Sequence, residues 1–131
     1  MDRLRVVVAE DHDQLRGAII TLLSSDFQVI DNVADGQQLV EAVLQCKPDV
    51  IITDIEMPVM DGFSARTNLL SKGIQQPFVF ITLTNTVELP SDIGSGTVGF
   101  VHKVDLMEEL AIAVQSVALG KSYLSQEFRS S

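Results

Sequence analysis

The sequence has little of several residue types, and each shortage argues against a class of protein. Cys46 is the single cysteine, so no intramolecular disulfide can form, which fits a reducing compartment. Nine Lys and Arg residues stand against 18 Asp and Glu, and the net charge of −9 argues against direct nucleic-acid binding. No apolar run approaches the length of about 18 residues that predicts a membrane span, and residues 1–11 do not resemble a signal peptide. We expect a soluble, cytoplasmic protein.

Apolar runs alternate with helical patterns along the chain. With 131 residues, 46% of them hydrophobic, the chain is long enough for one domain with one core. Short β-branched runs predict five strands, and helix-spaced apolar residues predict intervening helices. This alternation predicts an α/β fold, a doubly wound five-stranded parallel sheet with helices on both faces. The predicted strands span residues 4–9, 27–33, 49–53, 78–82 and 99–103, and the predicted helices span residues 14–24, 36–47, 62–71 and 105–119.

Two segments are less regular. Residues 84–98 contain Pro90, Gly94 and Gly96 and few good helix formers, so a weak or irregular fourth helix is predicted there. Asp105 and Glu108 have the spacing of a capping box at the start of the last helix. Gly120 is predicted to end that helix.

Polar side chains collect where the predicted strands end. Glu10 and Asp11 follow the first strand, Asp54 the third, Thr82 closes the fourth and Lys103 the fifth. The carboxyl ends of parallel strands meet at one edge of the sheet, where sites in this kind of fold form. Clustered carboxylates repel one another unless a cation neutralises them, and Mg²⁺ suits such oxygen ligands. A carboxylate nucleophile beside a metal, a hydroxyl and an ammonium group suits phosphoryl transfer through an aspartyl phosphate.

The segment DIEMPVMDG at residues 54–62 matches the pattern D-x-x-M-P-x-x-D/N-G without a gap. Together with AEDH at residues 9–12, and with Thr82 and Lys103 at later signature positions, the sequence resembles the receiver domain of two-component response regulators. The resemblance covers almost the whole chain. It implies the flavodoxin-like strand order 2-1-3-4-5.

The resemblance also implies a metal site. Asp11 and Asp54 would ligate Mg²⁺, with Mn²⁺ as a substitute, and the backbone carbonyl of Glu56 would be the third protein ligand. Glu10 would act from behind these ligands without binding the metal directly. His12 and His102 are not expected to be ligands, because Mg²⁺ prefers oxygen.

The phosphoryl chemistry implied by the resemblance rests on four residues. Asp54 would be the phosphoacceptor, Thr82 would donate its hydroxyl to the bound phosphoryl group, and Lys103 would pair with that group. Phe100 occupies the position of an aromatic switch that responds to the movement of Thr82. On this hypothesis the domain is a switch, not a turnover enzyme, with self-phosphorylation and self-dephosphorylation as its only activities.

The resemblance implies partners as well. A sensor histidine kinase or a phosphotransfer domain would supply the phosphoryl group. A homodimer would form through the surface of the fourth helix, fifth strand and fifth helix, or through the first and fifth helices.

The segments TLTN at residues 82–85 and GKSYLS at residues 120–125 are similar to those of receivers that precede a LuxR-type helix-turn-helix. We therefore expect residues 1–121 to form the receiver and residues 122–131 to begin a linker, with transcriptional output from a DNA-binding domain absent from this chain.

One departure and two alternatives remain. Val104 follows Lys103 where the family usually has proline, so a trans peptide and a different loop path are expected, which puts the reach of Lys103 in question. A haloacid-dehalogenase-like phosphatase is the enzyme alternative, but it would need an Asp where Glu56 stands and a nucleophile on the first strand. A receiver-like interaction module that works without phosphorylation is the other alternative.

Overall fold

The computed structural model describes residues 3–129, and the remaining terminal residues of the predicted receiver and linker lie outside that range. Six parallel strands form one sheet in the order β2-β1-β3-β4-β5-β6. The strands are β1 Arg5–Ala9, β2 Gln28–Val33, β3 Val50–Asp54, β4 Phe78–Thr82, β5 Val98–His102 and β6 Tyr123–Leu124. The predicted order 2-1-3-4-5 is confirmed, and β6 adds a sixth strand to the five that were predicted.

Residues 3–129 form five α-helices. They are α1 Asp13–Leu23, α2 Gly36–Cys46, α3 Gly62–Ser71, α4 Leu106–Ala118 and the short α5 Gln126–Arg129, with a 3₁₀ turn at Lys103–Asp105. Asp35 and Asp61 cap α2 and α3, because their carboxylates accept hydrogen bonds from the backbone N–H groups of Gln38 and Ser64. The helix predicted as the fifth is α4 in the structure.

The period-two alternation of the strands divides the core between the two faces of the sheet. Val6 and Val8 point toward α1 and α4, whereas Val7 and Ala9 point toward α2 and α3, and all four are fully buried. Helices therefore cover both faces, as predicted. Among the described residues, none of the helices combines the length and the apolar character that a membrane crossing requires.

The segment between β4 and β5 corrects one prediction. A weak or irregular fourth helix was expected, but residues 83–97 contain only bends and a turn at residues 91–94. The buried guanidinium of Arg66 on α3 contacts backbone carbonyls of this segment at Asp92 and Ser95. Pro90, Gly94 and Gly96 disfavour a helix, and these tertiary hydrogen bonds satisfy backbone groups in its place.

The predicted capping box at the start of α4 is wrong. Asp105 is the residue before α4, but its side chain does not cap the helix. Its carboxylate accepts a hydrogen bond from the backbone N–H of Glu127 instead, at 2.9 Å. Residues 123–129 are thus packed against β5 and α4, while their assignment to a linker stays a prediction.

Candidate functional site

Asp54 ends a fully buried strand of the sheet. All five residues of β3 are buried, and the side chain of Asp54 itself is nearly inaccessible to solvent. The backbone behind it is closely packed, because a Cβ at Gly62 would lie 2.4 Å from the carbonyl oxygen of Asp54. Only glycine fits at position 62, which explains the D-G pair that closes the motif. The strand therefore holds one carboxylate rigidly at its carboxyl end.

Lys103 lies between two carboxylates. Its Nζ is 3.0 Å from Oδ2 of Asp54 and 3.2 Å from Oε1 of Glu10. Burial alone would lower the pKa of Lys103, but the hydrogen bonds and charges of Asp54 and Glu10 outweigh it and raise that pKa. The described residues contain no cis peptide bond, so the expected trans peptide before Val104 is confirmed, and Lys103 reaches Asp54 without the proline.

The pKa values of the two carboxylates shift in opposite directions. Burial raises the pKa of Asp54, and the hydrogen bond from Lys103 offsets only part of that effect. Burial would also raise the pKa of Glu10, but hydrogen bonds from the backbone and ring of His12, together with Lys103, outweigh it and lower that pKa. Glu10 is therefore the more firmly ionised of the pair.

Asp11 belongs to a group of side chains that could hold a cation. Ligand atoms of Glu10, Asp11 and His12 lie within 4.8 Å of one another. Oδ1 of Asp11 is buried and accepts no hydrogen bond from the described residues. An uncompensated buried carboxylate oxygen is costly, and a hard cation would neutralise it. The oxygen donors Asp11 and Asp54, which line one cavity, fit Mg²⁺, whereas the His12 nitrogen does not, and receiver domains generally bind Mg²⁺ at an acidic pocket of this kind.

Thr82 is tied to a second hydroxyl. Its Oγ1 lies 2.7 Å from Oγ1 of Thr84 and also accepts a hydrogen bond from the backbone N–H of Thr84 at 3.1 Å. Thr82 is buried at the end of β4, so a short, local hydrogen-bond loop sets the orientation of its hydroxyl.

An open cavity of about 530 Å³ brings most of the predicted site residues together. Glu10 lies behind this cavity and reaches it through its ion pair with Lys103. Phe100 does not face the cavity; its ring stacks on Phe80 with centroids 5.5 Å apart. The lining residues are Asp11, His12, Asp54, Glu56, Met57, Pro58, Thr82, Leu83, Thr84 and Lys103.

The turn after Asp54 is strained at one position. Val59 has φ 71°, in the left-handed region that β-branched residues rarely adopt. Its side chain is 81% exposed, so no packing contact offsets the strain. Such a conformation persists where the surrounding structure over-determines the backbone, as at functional sites.

Sequence reasoning missed the hydrogen bonds of two buried polar residues, His102 and Glu109. The Nε2 atom of His102 hydrogen-bonds to the carbonyl of Leu83 at 2.9 Å. Glu109 lies on the apolar side of α4, where its carboxylate accepts hydrogen bonds from the hydroxyl of Tyr123 and the backbone N–H of Gln126. The helical spacing of Glu109 from Leu106 and Ala113 was the available signal, since a carboxylate in an apolar stripe needs a partner.

A doubly wound parallel sheet with an acidic cavity at its carboxyl edge defines a class of α/β domains that bind anionic groups there. Residues 6–115 match the family described as the response regulator receiver domain, so the chain belongs to that family. The predicted family is confirmed, and the family match decides against the phosphatase alternative.

Several curated relatives are regulators of transcription. The chain is 32% identical over 127 residues to YvfU of Bacillus subtilis, an uncharacterised transcriptional regulatory protein, covering 95% of this chain and 64% of YvfU. It is 33% identical over 126 residues to the transcriptional regulatory protein DesR of Bacillus subtilis, covering 95% of this chain and 63% of DesR. The chain thus spans about three fifths of the length of the curated relatives it matches.

Solved structures agree on the fold. The signal receiver domain of a protein assigned as the response regulator NarL of Mycobacterium tuberculosis superposes with a TM-score of 0.81 at 27% identity, covering 92% of this chain and all of that domain. ChrA, a response regulator of a heme-sensing two-component system, gives a TM-score of 0.78 at 26% identity, covering 99% of this chain and 64% of ChrA. The fold is that of the receiver domains of response regulators.

Proposed function

We propose that this domain is a phospho-receiver that accepts a phosphoryl group on Asp54 in a Mg²⁺-dependent step. The carrying observation is the placement of the Asp54 carboxylate, which the buried β3 strand presents to a cavity that Asp11, Thr82 and Lys103 also line. The donor would be the phosphohistidine of a sensor histidine kinase or a phosphotransfer domain. A small phosphodonor such as acetyl phosphate would serve in its place.

The transfer is an in-line displacement at phosphorus. An Oδ atom of Asp54 attacks the phosphorus and forms a new P–O bond, while the P–N bond of the phosphohistidine breaks. The leaving imidazole keeps the electron pair of that bond and takes up a proton. When bound by Asp11, Asp54 and the backbone carbonyl of Glu56, the metal ion would neutralise charge on the phosphoryl oxygens, with Glu10 behind it.

Two residues would change partners during this step. Lys103 bridges Asp54 and Glu10 in the resting structure, and its ammonium would move to a phosphoryl oxygen once Asp54 carries the phosphoryl group as an acyl phosphate. Thr82 would turn its hydroxyl from Thr84 to another phosphoryl oxygen. Phe100 would follow Thr82 as the switch residue, since the two lie on neighbouring strands and the register partner of Phe100 is Phe80, two residues before Thr82. Phosphorylation would thereby shift the population between two packings of this surface.

The output of this switch would be transcriptional, through a DNA-binding domain that is absent from this chain. The support comes from the relatives, which are named transcriptional regulators and are longer than this chain.

We further propose that a homodimer uses the face of α1 and α4, the predicted first and fifth helices. An apolar groove lined by Leu15, Leu22 and Met107 lies on that face, whereas residues 123–129 cover the edge of β5. Slow self-dephosphorylation would reset the domain.

Intact-mass measurement tests the phosphoacceptor. Wild-type protein treated with acetyl phosphate and Mg²⁺ should gain the mass of one phosphoryl group, and chelation of Mg²⁺ should abolish the gain. Asp54→Asn should show no adduct, while Asp26→Asn, a change at an exposed aspartate outside the site, should behave as wild type. A wild-type protein that stays unmodified would favour the phosphorylation-independent interaction module, and an adduct that survives Asp54→Asn would refute Asp54 as the phosphoacceptor.

A further inference from the structure

Residues 123–129, here named the strap, are bound along the outer edge of β5. Tyr123 and Leu124 pair with Gly99 and Phe100, and the backbone N–H of Ser125 donates to the carbonyl of Phe100 at 3.0 Å. This edge is adapted to the strap, because a Cβ at Gly99 would lie 3.3 Å from the Cβ of Tyr123 and 3.1 Å from a Val117 methyl. The strap therefore completes the sheet beside Phe100.

Carboxylates of α4 and its preceding turn hold the strap's backbone. The N–H of Gln126 donates to Oε2 of Glu109, and the N–H of Glu127 donates to Oδ2 of Asp105, both at 2.9 Å. The bond from Glu127 lowers the pKa of Asp105, as expected for a carboxylate that accepts a backbone hydrogen bond. Ser125 is fully buried, and its hydroxyl accepts a hydrogen bond from the backbone N–H of His102 at 2.9 Å.

The strap is also tied to the loop that follows β4. Nδ2 of Asn85 donates to Oε1 of Glu127 at 3.2 Å, and Oδ1 of Asn85 lies 3.1 Å from Nε2 of His102. Nδ1 of His102 accepts from the N–H of Val104, so Nε2 carries the proton that Asn85 and Leu83 share. Asn85 of the loop thus contacts both Glu127 of the strap and His102, which the strap covers.

This loop begins at the hydroxyl that the phosphoryl group would recruit. Thr82 and Thr84 share a hydrogen bond in the resting structure, and Asn85 is the next residue. If Thr82 turns toward Asp54, Thr84 loses the two hydrogen bonds that join it to Thr82, and the loop is then tied to this surface through the Leu83 carbonyl and the Asn85 side chain. Asn85 would then leave Glu127 and His102, and the ring of Phe128 would lose a fixed neighbour, since it lies 5.7 Å from His102 and 6.5 Å from Phe100.

We propose that the strap is an autoinhibitory segment, docked on the edge of β5 in the resting state and released when Asp54 is phosphorylated. This inference rests on the proposed function. It adds that the strap is the element whose docking changes when the Thr82 hydroxyl turns. Release exposes the edge of β5 and the Phe100 ring, and it frees the chain after residue 122 to reorient. Because coupling is reciprocal, a weakened strap also favours the phosphorylated conformation.

Hydrogen–deuterium exchange of residues 122–129 in the full chain tests the proposal. Fluoroberyllate with Mg²⁺, a mimic of the phosphoryl group, should accelerate exchange there by about tenfold or more, because the protecting bonds open. Without any phosphoryl mimic, Asn85→Ala and Glu127→Ala should each accelerate it by roughly three- to tenfold. Glu108→Ala, at an exposed acid of the same acidic surface, should leave exchange unchanged.

Exchange in the strap and Asp54-dependent fluoroberyllate binding are measured separately, so strap release and the proposed function can fail independently. Unchanged exchange in Asn85→Ala overturns the link between loop and strap, whatever the phosphorylation result. Fluoroberyllate that binds in an Asp54-dependent manner, seen by ¹⁹F NMR, but leaves the strap protected overturns the release while the phosphoacceptor role stands. Absence of Asp54-dependent binding counts against both the proposed function and the release. Faster phosphorylation of Glu127→Ala by acetyl phosphate, relative to Glu108→Ala, supports the reciprocal coupling.

Discussion

At the scale of single residues, the site depends on charges that are buried together. Lys103 pairs with Asp54 and Glu10, and each of these side chains would be costly to bury alone. The sequence placed all three at strand ends, and that part of the site could be predicted because parallel strands bring their carboxyl ends to one edge. Their pairing could not be predicted, since it depends on how far the Lys103 side chain extends into the cavity.

Tyr123 offers a residue-scale prediction of pH dependence. Burial and the hydrogen bond to the Glu109 carboxylate raise its pKa from 10.0 to about 12. The folded state disfavours the phenolate, so this contribution to stability is complete below pH 10 and is lost as the pH rises toward about 12. Tyr123 is the single tyrosine and tryptophan is absent, so phenolate absorbance reports it directly.

Titration of wild type, monitored by phenolate absorbance while circular dichroism confirms folding, should give a midpoint near 12. Glu109→Gln should lower the midpoint, because the neighbouring negative charge is gone. The control is Glu108→Gln, whose side chain is exposed on the same helix. A wild-type midpoint at 10.0, the ordinary value, would contradict the hydrogen bond between Tyr123 and Glu109.

At the scale of secondary structure elements, the Arg66 side chain supplies hydrogen bonds to a segment that forms no helix, residues 83–97. Residues 83–97 have no regular hydrogen bonding of their own, and Arg66 of α3 supplies donors to their carbonyls. Arg66 is 2% exposed, and Asp92 accepts further hydrogen bonds from it and from Thr67. The weak helical propensity of this segment was visible in the sequence, but its anchor was not, because Arg66 lies 26 residues before Asp92.

Replacing Arg66 tests this anchor. Arg66→Met keeps a long apolar side chain and removes the donors, so the carbonyls of Asp92, Ile93 and Ser95 lose a hydrogen-bond partner. We expect the free energy of unfolding to fall by about 2–3 kcal/mol, and exchange in residues 83–97 to accelerate. Lys72→Met, an exposed change at the end of α3, should stay within about 0.5 kcal/mol of wild type. Equal denaturant midpoints for the two variants would refute the anchoring role.

At the scale of the whole molecule, the two apolar faces of the sheet form the cooperative core. Every buried residue of both core clusters lies between Val6 and Val117, before the strap begins. The strap adds hydrogen bonds and the Phe128 ring to the edge of β5, but it contributes little to either face. The domain should therefore still fold when the strap is removed. The edge of β5 would then lack the hydrogen bonds and the Phe128 ring that the strap supplies.

A chain ending at Lys121 tests the predicted domain boundary. It should unfold in one cooperative transition, because both core clusters are intact. Loss of the strap's few hydrogen bonds should lower the free energy of unfolding by about 2 kcal/mol, which corresponds to a fall in Tm of roughly 5–10 °C. Scanning calorimetry against the full chain measures both quantities. A truncated chain without a cooperative transition would place the strap inside the domain, and an unchanged Tm would show that the strap adds no stability.

The sequence by itself determined the α/β class and the two covered faces, because alternating β-branched runs and helical spacing are local signals. The resemblance carried by the DIEMPVMDG segment implied the family and, with it, the strand order. The tertiary structure alone decided that residues 83–97 form no helix and that residues 123–129 close the edge of β5. Both outcomes depend on side chains that meet across long separations, such as Arg66 with Asp92 and Asn85 with Glu127. Contacts of that kind leave no periodic pattern in a sequence, since each needs one particular geometry between elements that are folded already.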